Sequence, residues 1–225
     1  ASFMIRLKIL VEGQTEETFI RDVLSPFFKP LEIDSTAVIV KTSPNKRGGT
    51  VKYADLIKQL NELLKEKNAW VSTFFDLYAL HKDFPGLADD CFKQHQDGKG
   101  KASYLERKLK SGVYVPERFI PFIMPYEYET LLFSNPSQFS EWSTQEVVEK
   151  LIRIKQSFPC IENINNSPLS APSIRIKKLV KNYEKVFHGP LIAAEIGIDV
   201  MRQESSHFNQ WLCAIEQIPI KKSNR

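Results

Sequence analysis

Nowhere in this 225-residue chain do eighteen apolar residues run together, and no positively charged start leads into an apolar stretch and a small-residue cleavage site. A membrane-spanning or secreted protein is therefore not expected. Cysteine is scarce: Cys91, Cys160 and Cys213 are odd in number and far apart, with no CxxC spacing and no neighbouring histidine pair. That argues against a disulfide framework or a zinc site and suits a reducing cytoplasm. Glycine is sparse too, at nine residues, and 42% hydrophobic residues with fifteen phenylalanines describe a chain that builds a core, not a disordered one. There is no GxxxxGK[ST] phosphate loop, no GxGxxG fingerprint and no GxSxG nucleophile elbow. His81, His95, His188 and His207 are scattered, and only His81, near Asp76, is placed to assist a proton transfer. Met4, after Ala1-Ser2-Phe3, is the expected native start.

The net charge of +4 does not name a partner, but its distribution is uneven. Lys41, Lys46, Arg47 and Lys52 surround Gly48-Gly49, and Lys99, Lys101, Arg107, Lys108 and Lys110 crowd a second segment. Arg175, Lys177, Lys178, Lys181 and Lys185 form a third. Each alone is an ordinary solvated face; three flanking a set of acids suggest a polyanion, with Lys46, Arg47, Lys101, Arg175 and Lys178 as nucleic-acid contacts.

Ile5 to Val11 reads as a strand that stops at Glu12-Gly13. Thr15 caps a helix with Glu16 and Glu17 in its first turn, predicted to end before Pro26. Thr36 to Lys41 is a second strand, and the turn-rich Ser43 to Gly49 follows it. Leu56, Ile57, Leu60, Leu63 and Leu64 give one apolar stripe on a long helix. Trp70 to Phe75 is a third strand that delivers Asp76, Ala102 to Lys110 another helix, and Arg118 to Met124 a fourth strand. A helix start is expected after Pro125, and helices with Pro-rich interruptions beyond Ser143. The alternation predicts an α/β fold with a mainly parallel sheet of about four strands flanked by helices. Residues 4–135 form the expected core and 136–219 a helical C-terminal extension packed on it.

In such a sheet ligands gather beyond the carboxyl ends of the strands, and that is where Glu12, Asp76, Glu127 and Glu129 fall. Singly, each is most simply a cap or a solvated loop residue. Together they repel unless a cation neutralises them, and hard oxygen ligands suit Mg²⁺ or Mn²⁺. Such an ion would polarise a phosphodiester and lower the pKa of attacking water. Glu16, four residues after Glu12, is a second candidate ligand.

Val11-Glu12-Gly13-Gln14-Thr15-Glu16, Asp76-Leu77-Tyr78-Ala79-Leu80 with Asp83-Phe84-Pro85-Gly86, Tyr126 to Ser134, and Ala171-Pro172-Ser173-Ile174-Arg175-Ile176 resemble an uncharacterised bacterial TOPRIM-like family, domain of unknown function 4276, related to OLD-type nucleases. The likeness runs over nearly the whole chain, to Phe208-Asn209-Gln210-Trp211-Leu212. It implies a Mg²⁺- or Mn²⁺-dependent nuclease acting on DNA or RNA, paired with an ABC-type ATPase in antiphage defence. Glu12 would be metal ligand or general acid/base, Asp76 the principal ligand, and Lys177 with Arg175 the phosphate-facing cations. TOPRIM enzymes place Asp-x-Asp after the later strand, whereas Tyr78 stands at the second position here; Asp83, Glu127 and Glu129 are the candidate substitutes. The rival reading is a regulatory subunit of an ATPase complex with a degenerate metal site. Nucleotidyl transfer, as in a primase, would need a nucleotide site that the sequence does not advertise.

Overall fold

The computed structural model describes residues 4–43, 46–165 and 168–219. Ala1 to Phe3 and Pro44-Asn45 of the turn-rich segment lie outside the described residues. Its centre is a parallel sheet built from β1 (Ile5–Val11), β2 (Ile33–Ile39), β5 (Ala69–Asp76) and the short β6 (Phe119–Ile120), in the order β2-β1-β5-β6, with β7 (Ile123–Met124) also paired to β5. A separate antiparallel hairpin, β3 (Lys41–Ser43) and β4 (Lys46–Arg47), continues from β2. β1 alternates: Ile5, Leu7, Ile9 and Val11 enter one core, Leu10 the other. Of the eight residues of β5 only Trp70 is not fully buried, as expected of a central strand covered on both faces.

One face is covered by α3 (Tyr53–Leu64) and α5 (Gly98–Ser111), through Leu56, Leu60 and Leu64 and through Ala102, Leu105 and Leu109. The other is covered by α1 (Gln14–Phe19) and α2 (Ser25–Phe28), and by the later helices α6 (Gln145–Gln156), α7 (Pro172–Leu179), α8 (Lys185–Ile196), α9 (Ile198–Glu204) and α10 (Ser206–Glu216). A short α4 (Asp90–Gln94) precedes α5. The α/β class, the parallel sheet and the helical C-terminal region agree with the sequence reading. The apolar core runs without a break from β1 into α6 to α10.

Local departures have local causes. The helical run does not end before Pro26: α1 passes through a π turn, Ile20–Leu24, into α2, and the wider turn just before the proline accommodates a residue with no N–H to give. The second strand spans Ile33–Ile39, earlier than Thr36–Lys41. The fourth is split into β6 and β7 around Pro121, which has no amide to give a ladder. The helix expected after Pro125 is a 3₁₀ run, Tyr128–Ser134, with every residue buried. Among the described residues, no helix is long and apolar enough to cross a membrane.

Candidate active site

The candidate site assembles where β1, β5 and β7 end. Glu12 leads from β1 into Gly13, whose carbonyl accepts the Glu17 amide at 3.1 Å and so opens α1. Glu16 lies beside Gly13, its Oε2 3.6 Å from where a Cβ would stand, an ordinary contact distance. Glu16 is buried in the first turn of α1, where the helix dipole favours a carboxylate. β5 ends on Asp76, also buried, whose Oδ1 accepts the Tyr128 amide at 2.7 Å. The 3₁₀ run after β7 carries Glu129 inward to zero exposure.

Lys185, the first residue of α8, stands among these acids. Its Nζ donates to Asp76 Oδ2 at 2.9 Å and lies 3.4 Å from both Glu16 Oε1 and Glu129 Oε2. It is also 5.9 Å from the centre of the Tyr128 ring. Burial alone would lower its pKa, but Asp76, Glu129 and Glu16 outweigh that and hold the ammonium charged.

Three carboxylates thus share one ammonium, with Glu12 electrostatically coupled to them. Burial, then repulsion from Asp76 and Glu16, pushes Glu12 well above the ordinary carboxylate range. Burial and then Asp76 raise Glu16, and burial takes Glu129 up to about 7. Neither Glu129 oxygen makes a hydrogen bond of good geometry, nor do the buried Tyr128 and Tyr183 hydroxyls, although the Tyr183 hydroxyl stands close enough to couple to the Glu129 carboxyl and Lys185 pairs with it. Polar atoms in that condition are costly unless something else compensates them. Among the described residues, no three or more His, Cys, Asp or Glu side chains are arranged around a common metal position. The point shared by Glu16, Asp76 and Glu129 is held by the Lys185 ammonium. The donors are hard oxygens in charge surplus, which by their chemistry suit Mg²⁺ or Mn²⁺.

Other candidates are engaged elsewhere. Asp83 caps α3: its two oxygens accept the Tyr53 amide at 3.1 and 3.3 Å, and His81 Nδ1 pairs with it at 2.7 Å. Glu127 accepts the Ser173 amide at 2.9 Å in the first turn of α7, so the two acids of the Tyr-Glu-Tyr-Glu segment separate, one to a helix end and one to the cluster. Arg175, expected to face phosphate, instead donates to the Ser170 carbonyl at 2.7 Å and lies 5.1 Å from the Phe158 ring centre. Lys177 and Lys178 are exposed on the last turn of α7, and the ammonium paired with the acids is Lys185 instead. Sequence reasoning placed Lys185 in a basic group without assigning it a role; a charge count calls for a cation near four acids, but not for that one.

The basic hairpin does reach the site. The Gly49 amide donates to the Glu12 carbonyl at 2.9 Å, which ties β3 and β4, with exposed Lys46 and Arg47, to the first acid. Gly48 and Gly49 have φ of 84° and 90°, values that favour glycine. Glu12, Gly49, Ala79, His81 and Phe84 line a small cavity on the outer side of the cluster. Lys101 is half-exposed on the second turn of α5, away from the ion-paired acids.

No curated protein and no solved structure matches this chain. Residues 11–216, from the end of β1 to the end of α10, match the family described as Domain of unknown function (DUF4276), and the chain belongs to that family.

Proposed function

We propose that this protein is a metal-dependent nuclease that cleaves phosphodiester bonds in DNA or RNA. The observation that carries the reading is the meeting of Glu12, Glu16, Asp76 and Glu129 around Lys185 at the carboxyl edge of a parallel sheet. A Mg²⁺ or Mn²⁺ at this edge would draw its ligands from these acids by displacing the Lys185 ammonium from their midst, and would supply Lewis-acid polarisation of the phosphodiester and a water acidic enough to attack it. Lys185 takes the part first expected of Lys177: a half-buried, charged ammonium available to meet negative charge developing on phosphate. Lys46 and Arg47, on the hairpin hydrogen-bonded to Glu12, are the arm that receives the nucleic-acid backbone. The likeness to OLD-type nucleases adds a TOPRIM origin, an ABC-type ATPase partner and a role in antiphage defence.

One observation favours a second reading. Lys185 already neutralises part of the acid cluster, as in a protein that kept the fold for docking on an ATPase and lost the metal. Purified protein incubated with Mg²⁺ or Mn²⁺ and with DNA and RNA, alone and with the partner ATPase, separates the two. The nuclease reading expects metal-dependent cleavage that Asp76→Asn lowers at least ~10³-fold, the scale of an essential charge-stabilising group. It also expects cleavage to fall in Lys185→Met while Mn²⁺ binds that variant more tightly, because a competing cation is gone. Absence of cleavage under every condition, with unchanged ATPase docking in both variants, establishes the second reading.

A further inference from the structure

We infer that the substrate is nucleic acid with unpaired bases at the cleaved position, and that Tyr78 is the platform on which one base stacks; this rests on the nuclease reading. Tyr78 lies two residues beyond Asp76, in the 3₁₀ turn Leu77–Ala79, and the residue remains 36% exposed next to buried Leu77. The turn is fixed: the Tyr78 amide donates to the Tyr126 carbonyl at 3.1 Å. Behind the ring stands Tyr126, with ring centres 5.5 Å apart.

Tyr126 is itself rigid. It is 5% exposed and adopts a φ of 64°, a conformation that a bulky residue keeps only when its surroundings impose it. The amino end of α5 closes against it, since a Cβ on Gly98 would come within 2.9 Å of Tyr126 Cε2. An exposed aromatic face with a rigid backing is a preorganised stacking surface, because little freedom is lost when a second ring lies on it.

The surroundings select the ligand. The turn that bears Tyr78 and the hairpin that bears Lys46 and Arg47 both border Glu12, as Ala79 and Gly49 line the same cavity beside it. Phosphates therefore meet the cationic arm on one side while a base meets the tyrosine on the other. A duplex keeps its bases stacked on each other and presents phosphates and groove edges, so it gains from the arm but not from the ring. A single strand, bulge or loop gains from both.

Binding of a labelled oligonucleotide in EDTA, single-stranded and annealed to its complement, tests this without any cleavage. The wild type is expected to prefer the single strand, Tyr78→Phe to keep that preference, and Tyr78→Ala to bind the single strand roughly 5- to 150-fold more weakly with duplex binding unchanged. Tyr78→Leu retains an apolar contact with Tyr126 but no π face; it is expected to behave like Tyr78→Ala, and it serves if the alanine variant does not fold. Equal binding of single strand and duplex, or a preference that survives in Tyr78→Leu, overturns the inference. If the wild type still cleaves with Mn²⁺ in that case, the nuclease reading stands and only the substrate class fails. If no nucleic acid is bound or cut, both fail.

Discussion

Two buried carboxylate groups in this molecule differ in how their oxygens are satisfied. At one, Glu162 is 2% exposed, and it accepts the Ser205 hydroxyl at 2.6 Å, the His207 amide at 2.7 Å and the Ser206 hydroxyl at 3.3 Å. Its neighbour Glu106 accepts His207 Nε2 and the Ile123 amide at 2.7 and 2.8 Å. At the other, Glu129 is fully buried with neither oxygen hydrogen-bonded, and it shares the Lys185 charge with Asp76 and Glu16. Burial of an acid thus does not by itself set the candidate site apart from the rest of the molecule. What sets it apart is an acid whose lone pairs the fold leaves open, because a carboxylate saturated by local donors fastens helices together and one left open retains capacity for something else.

The sharpest way to break this contrast is Glu162→Ala. It leaves the Ser205 hydroxyl and the His207 amide buried without acceptors, and an unfolding measurement is expected to show a loss of roughly 4 kcal/mol. Stability close to the wild type would remove Glu162 from the class of structural acids.

Glu129→Gln is expected to act in the opposite direction. With burial holding the Glu129 carboxyl near 7 against an ordinary 4.5, the folded chain binds the proton more tightly than the unfolded chain does. Stability is then fully present below about pH 4.5 and declines as pH rises through about 7, by ~3 kcal/mol in all. The neutral glutamine removes that decline, so denaturant melts of the variant across this window should be flatter than those of the wild type. A glutamine variant that is destabilised at every pH, as the Glu162 variant should be, would erase the distinction.

The smallest effect concerns Asp83, which fold and sequence place in different roles. As the cap of α3, its change to Ala is expected to lower the midpoint of a thermal melt slightly and to leave metal-dependent cleavage unchanged. Loss of cleavage at wild-type stability would return it to the metal set.

What was legible beforehand follows from sequence distance. The pairing of Glu12 with Asp76 could be anticipated because each closes a strand with a strong apolar pattern, and parallel neighbours bring like ends together. The stripe Leu56, Leu60, Leu64 gave α3 for the same reason: a period is a local property. Lys185 lies 109 residues from Asp76 and opens a helix with no side-chain cap to announce it, so nothing local distinguishes it from Lys177 or Lys178. Glu127 and Glu129 are two residues apart and end at different destinations, because a 3₁₀ run has neither the two-residue period of a strand nor the period of an α-helix. Asp83 could be read either way from the sequence, because a helix cap and a metal ligand draw on the same residue types.

The tether between Gly49 and Glu12 carries one more consequence. A Cβ on Gly48 would sit 3.1 Å from the Glu12 carbonyl oxygen, so the arm rests on the main chain of the first acid with almost no clearance. There is no slack joint between the part that would grip a ligand and the part that would act on it. The position of the hairpin over Glu12 is thereby set by main-chain atoms, whichever side chains stand at 46 and 47.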